Sequence, residues 1–356
     1  MIFENMSRFY FGLLVSSVLL FCGCQPTAPK APDVKDVNVS LKTSRFDVDL
    51  YSLDSSNLKP GLQQLKQKYP DFLDYFLDTI MTYNIRGNYD DTCTGIKEGL
   101  RMFLTFKDFR DLEDSIQFHY PDTKDVDEAL AAGFKLVKYY FPSNNIPRII
   151  YLNMGLSKWP SFPIDTNTLC VGLDMFLGDH FPFYVSVGVP DYMNAHMRKS
   201  YLPVSLFGTY YKMRHPFVQD ERTLLDLILQ RGREQYYLHK ILPAQPDSVL
   251  FGFTQVQLKW CTKNEPDIYN FFVSNNLLYN KESVGRFAFV NDGPFAQGME
   301  APNDPVKYSP GNVGTWLGYR IVCAYMEHNP KVTLYELINK PIDPAKFLEM
   351  AKYKPR

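Results

Sequence analysis

Histidine is scarce in this sequence and badly spaced for metal work. The six are His119, His180, His196, His215, His239 and His328, and the closest two, His180 and His196, stand sixteen residues apart. A zinc helix needs two histidines one turn apart with a glutamate between them, the HExxH pattern. No turn of helix here can present such a pair, and no pattern signals three ligands from distant segments. Nucleophile and nucleotide motifs are missing as well. The nearest approach to GxSxG is GLSKW, without the second glycine, and neither GxxxxGK[ST] nor GxGxxG occurs. Charge of one sign is also lacking: 38 Lys and Arg against 39 Asp and Glu give a net charge of −1. With no basic run to concentrate charge, nucleic acid is not expected as a partner. Long apolar runs are absent too. Phe9–Phe21 is thirteen residues long, whereas a membrane-crossing helix needs about 20 to cover roughly 30 Å of hydrocarbon.

That short run, preceded by Arg8, fits the apolar core of a secretory signal; Met6 can serve as its start. Cys22-Gly23-Cys24 then resembles the bacterial lipobox, where cleavage precedes a cysteine carrying a diacylglycerol. The resemblance makes Cys24 the lipidated residue, since Gly23 suits the position before the cut. Phe21 departs from it, because a smaller aliphatic residue is usual there. A plain cleaved signal is the other reading. Beyond Cys24, Gln25–Pro32 holds three prolines and reads as an extended tether of about 3 Å per residue. Each buried methylene contributes about 0.8 kcal/mol, so several acyl chains hold where one would not. In surface-exported lipoproteins of the Bacteroidetes type, acidic residues follow the cysteine. Gln-Pro-Thr-Ala-Pro-Lys follows here, which by that resemblance leaves the protein facing the periplasm. The expectation is a signal peptide over 1–23, a lipidated cysteine and flexible tether over 24–44, and one domain over 45–356.

Removing 23 residues from 356 leaves 333, enough for one large domain or two closely packed ones. The other four cysteines are Cys93, Cys170, Cys261 and Cys323, which allow three disulfide pairings that sequence cannot choose between. Cys261 beside Trp260 and Cys323 inside YRIVCAYM read as small core residues. RFDVDLYSLD (45–54) alternates apolar and polar residues, predicting a strand or extended arm. Pro60 and Pro70 each start a helix. In Asp122–Phe141, acids come early and lysines late, and Leu130, Phe134, Val137 and Phe141 share one face. IPRIIYLN and TLCVGLDMFLG predict strands. Helices are expected at ERTLLDLILQRGREQYYLHKIL, TQVQLKWCTKNEPDIYNFFVSN, NVGTWLGYRIVCAYMEHN, TLYELIN and DPAKFLEMAK. The fold class is therefore α+β, mostly helical around a small central sheet, with a possible subdomain in the helices before residue 145.

Chemistry-bearing residues are few. Glu265 lies five residues after Trp260, and a glutamate beside tryptophan can serve as a general acid; a helix-end carboxylate is the plainer reading. Glu221 and Asp226 flank another helix start. Arg320 stands in the apolar run WLGYRIVCAYM with Trp316, and its guanidinium needs a partner such as Glu265 or Asp174. An ion pair or a ligand anchor would each satisfy it. Asp174, Trp260, Glu265, Trp316 and Arg320 are thus the candidate cleft or ion-pair residues. Gly311, Gly314 and Gly318 suggest close approach of two elements. The tyrosine and phenylalanine clusters YYLHKILP and GTYYKMRHPF suggest packing rather than a ligand cage.

Several stretches taken together resemble the gliding motility lipoprotein family GldB of Bacteroidetes. They are the signal and lipobox, RFDVDLYSLD, LKQKYPDFLDYFL, LCVGLDMFLGDHFPFY, LPVSLFG, ILQRGREQYYLHKILP, LKWCTKNEPDIYNFF and PGNVGTWLGYRIVCAYMEHNP. The resemblance implies an outer-membrane-associated lipoprotein linked to gliding machinery. It further implies a distant, zincin-like kinship with predicted zinc peptidases that carry HExxH near a strand like LCVGLDMFLG. PDYMNAHMRKSYLPVSLFGTYYKMRH has no such motif. The resemblance therefore implies a pseudo-peptidase scaffold binding envelope proteins or a peptide, with no cofactor and no catalytic or metal-ligating residue. A divergent hydrolase using Glu265 or Asp174 with distant histidines is the alternative.

Overall fold

The computed structural model describes residues 31–156, 159–218, 220–281, 283–299 and 309–356. The expected signal peptide, Cys24 and the first part of the tether lie outside the described residues. Everything that follows concerns the unit from Val34 to Arg356. The longer helices are numbered α1 (Leu58–Lys68), α2 (Lys107–His119), α3 (Lys124–Tyr140), α4 (Leu202–Arg214), α5 (Leu224–Ile241), α6 (Gln255–Lys263), α7 (Glu265–Ser274), α8 (Val313–His328) and α9 (Pro344–Ala351).

Four short strands make one sheet: β1 (Thr43–Arg45), β2 (Arg148–Leu152), β3 (Ser161–Asp165) and β4 (Thr168–Gly172), in the order β1-β2-β4-β3. β1, β2 and β4 run parallel, and β3 turns back antiparallel to β4 as the edge strand. Side chains alternate across the pleat, and each face meets its own core. Ile149, Tyr151, Leu169 and Val171 join the larger core, which takes the buried apolar faces of α2, α3, α4, α5 and α8. Ile150, Leu152 and Cys170 join a smaller core with Phe46, Leu58, Phe72, Phe76 and Phe103. Covering on both faces is what a largely parallel sheet requires. The layer on the second face is thus built from residues 46–105 rather than from every helix before residue 145. It shares the sheet instead of standing apart.

RFDVDLYSLD is not a strand beyond Arg45: Phe46–Tyr51 is helical. Asp47 is fully buried while Val48 is exposed, the reverse of what alternation requires. The cause is Arg45, whose Nε and Nη2 clasp the Asp47 carboxylate at 2.9 and 2.7 Å. The tether also ends earlier than residue 44. Val34, Val39 and Leu41 pack against the larger core and lead into β1. The long helix expected over 254–275 is two helices, α6 and α7, broken at Asn264. Pro266 lacks an N–H and its ring would clash with the carbonyl four residues back. Asn264 caps the first piece by donating from Nδ2 to the Trp260 carbonyl at 2.8 Å.

α5 and α8 form the central pair. α5 opens with a capping box, in which Thr223 and Asp226 each accept from the other's backbone N–H. That is the role of Asp226. The two helices touch backbone to backbone. A Cβ on Gly318 would lie 2.0 Å from the Ile228 carbonyl oxygen, and one on Gly232 would lie 2.3 Å from the Gly318 carbonyl. No described helix is long and apolar enough to cross a membrane.

Candidate functional site

α4 is buried on nearly every side, by Leu206, Phe207, Tyr210 and Tyr211 among others. Pro203 in its first turn suits that position, where an N–H has no helical partner. One polar stripe remains: Ser205, Thr209 and Lys212, at four- and three-residue steps on one face. Ser161 on β3 meets it. The Ser161 Oγ lies 2.7 Å from both Ser205 Oγ and Thr209 Oγ1, so a knot of three hydroxyls fastens the edge strand to α4.

The stripe faces a cavity of about 590 Å³. α5 supplies a second wall with Arg231, Glu234, Gln235 and Leu238. The segment from Gly188 to Met197 supplies a third, and Met175, Met193 and Met197 line the space together. Thioethers on flexible stems make an adaptable apolar surface. Glu234, almost fully buried, bridges the first two walls. Its Oε1 is 3.2 Å from Lys212 Nζ and its Oε2 is 3.2 Å from Arg231 Nη1. Arg231 Nη2 also donates to Asn291 Oδ1 at 3.3 Å. A smaller cavity of about 290 Å³ is lined by the same Lys212, Arg231 and Glu234, together with His215. The three charged groups therefore stand as a partition between two spaces.

Across the cavity His196 stacks on Tyr201, with centroids 4.4 Å apart and planes 6° from parallel. Its Nε2 abuts Gly252, where a Cβ would come within 1.8 Å, and the φ of +67° there suits glycine. Its Nδ1 is 3.7 Å from Asp292 Oδ2. Burial pushes the imidazole below its usual range, with Asp292 acting in the opposite direction. Asp292 also accepts from Asn312 Nδ2 at 2.8 Å.

The residues singled out from sequence do not form one site. Arg320 reaches Glu265, with Nε 3.0 Å from Oε1, and Tyr353 donates to the same oxygen at 2.7 Å. The Arg320 guanidinium lies 5.9 Å from the Trp316 ring. Trp260 is half-buried on α6. Asp174 is elsewhere, fully buried just beyond β4, accepting backbone N–H groups from Leu156 and Met154. Neither Asp174 nor Glu265 lines the cavity, and neither hydrogen-bonds a histidine. Sequence reading missed the cavity's polar set, His196, Ser205, Thr209, Lys212, Arg231, Glu234 and Asp292, and Ser161, which bonds to two of them. One signal was available, the polar stripe on an otherwise apolar helix.

Fold and cleft define a class: a helix-rich α+β domain with a ligand-sized cleft walled by two helices and the segment from Gly188 to Met197. The chain belongs to the family of the gliding motility protein GldB, whose sequence profile matches residues 27–355, nearly the whole chain. No curated protein and no solved structure matches it.

Proposed function

We propose that this chain is a gliding-motility-associated envelope lipoprotein, anchored in the outer membrane through Cys24 and facing the periplasm, whose cleft binds a peptide or protein segment without cleaving it. The observation that carries this reading is the donor set of the cleft. Ser205 and Thr209 occupy the one-turn spacing of an HExxH pair on α4, and Glu234 stands on the neighbouring helix as a third ligand would. The residues present do not fit zinc. Neutral hydroxyls, already bonded to Ser161, are poor partners for it beside imidazole or thiolate. The one carboxylate is compensated by Lys212 and Arg231, which a divalent ion would have to displace. Among the described residues no three His, Cys, Asp or Glu side chains are placed to hold a metal. A zincin-like scaffold that has exchanged its metal pair for hydroxyls accounts for this arrangement.

Elemental mass spectrometry after mild dialysis tests the reading. The wild-type protein is expected to carry no stoichiometric zinc. A variant combining Ser205→His, Thr209→His and Lys212→Ala, which removes one of the two cations on Glu234 and leaves Oε1 open, is expected to gain it. Near-stoichiometric zinc in the wild type would overturn the non-catalytic reading. A folded variant that gains none would remove the kinship with zinc peptidases.

A further inference from the structure

The three-charge partition has a property that a purely structural ion pair would not need. Lys212 and Arg231 bring two positive charges to one carboxylate, and no other described carboxylate pairs with either. Both contacts to Glu234 are 3.2 Å, longer than the roughly 2.7–2.9 Å of a tight charge-assisted bond. Lys212 is also more than half exposed, so its ammonium is within reach of an incoming anion. Glu234 has somewhere to go, because it lines the smaller cavity as well as the larger one, and His215 faces that smaller space. The Ser205 and Thr209 hydroxyls line the larger cavity on the same helix as Lys212.

We propose that Lys212 and Arg231 form the anchoring subsite for a carboxylate on the bound ligand, with Glu234 as the resident group that this carboxylate displaces. The inference rests on the peptide-binding reading of the cleft and names what that cleft selects. The ligand carboxylate takes the two cations, Glu234 turns toward the smaller cavity, and an adjacent apolar side chain enters the pocket lined by Met175, Met193 and Met197. A free peptide C-terminus and an acidic side chain carry the same chemistry.

Fluorescence anisotropy with the detergent-solubilised full chain separates these cases. Three labelled leucine–alanine hexapeptides serve as probes: one with a free C-terminal carboxylate, one amidated, and one amidated with a single internal aspartate. The free acid is expected to bind about tenfold or more tighter than the plain amide, the worth of a charged hydrogen-bonded pair. Equal affinity for the aspartate peptide assigns the site to side chains as well as termini; affinity equal to the plain amide assigns it to termini. Glu234→Gln is expected to widen the preference for acid over amide several-fold, because the resident competitor has lost its charge. Lys212→Gln, at a half-exposed position that tolerates change, is expected to narrow the preference, and Arg231→Gln to abolish it. If acid and amide bind equally, the anchoring subsite is wrong while the peptide cleft stands. If no probe binds at millimolar concentration, the peptide-binding reading falls and takes the subsite with it.

Discussion

Asp174 combines complete burial with incomplete bonding. Its Oδ2 accepts the backbone N–H groups of Leu156 at 2.7 Å and Met154 at 3.3 Å, and its Oδ1 has no partner among the described residues. Burial disfavours the charged form and pushes its pKa up to about 7; the two N–H groups act against that, and nearby Glu113 adds to it. The unfolded chain releases this proton near 3.8, the folded chain near 7, so the contribution to stability is complete below the lower value. It is lost as pH rises through that window. Asp174→Asn, which stays neutral throughout, is expected to flatten the fall and to leave the protein more stable at pH 8 than the wild type. The bound is on the order of 4 kcal/mol. Urea midpoints from pH 4 to 8 check this, and parallel curves for the two proteins would count against a buried neutral Asp174. Glu113, also pushed up by burial and by the Asp47 charge, keeps a residual slope in both. A carboxylate inside VGLDMF was visible in the sequence. The turn that satisfies half of it, eighteen residues upstream, was not, because nothing local links the two.

Among the elements, the α5–α8 seam is the tightest contact. Gly318→Ala places a methyl group against the Ile228 carbonyl at 2.0 Å, where backbone rather than a flexible side chain must move. A loss of about 3 kcal/mol is expected, near the top of the range for overpacking, read as a lower urea midpoint at unchanged slope. A loss under about 1 kcal/mol would mean that the helices do not meet there. The glycine spacing signalled this approach from sequence, and helical periodicity located α3, α5 and α8. Parallel pairing was beyond it. β3, SFPID, is short, contains proline and buries little, so it carries no strand pattern of its own; β4 and α4 hold it. RFDVDLYSLD shows the opposite failure, in which a true local pattern yields to one buried ion pair.

For the whole molecule, the anchor and the cleft are separate questions. Cys24→Ala is expected to move the protein from the membrane pellet to the soluble envelope fraction on cell fractionation. If the variant still sediments with membranes, either the lipobox assignment is wrong or a second contact holds the protein there. The α+β class was legible because long amphipathic helices and two apolar strands are local features. The cleft was not, since its walls come from α4, α5 and segments more than a hundred residues apart in sequence. Only Ser205, Thr209 and Lys212 left a trace, as polar residues out of place on a buried helix. α5 joins the two themes. Gly232, pressed against α8, sits between Arg231 and Glu234 in the chain. The thickness of the seam on one side of this helix thus sets how far its charges project on the other. In the proposed subsite, ligand preference is then adjustable from behind, by a methyl group that never meets the ligand.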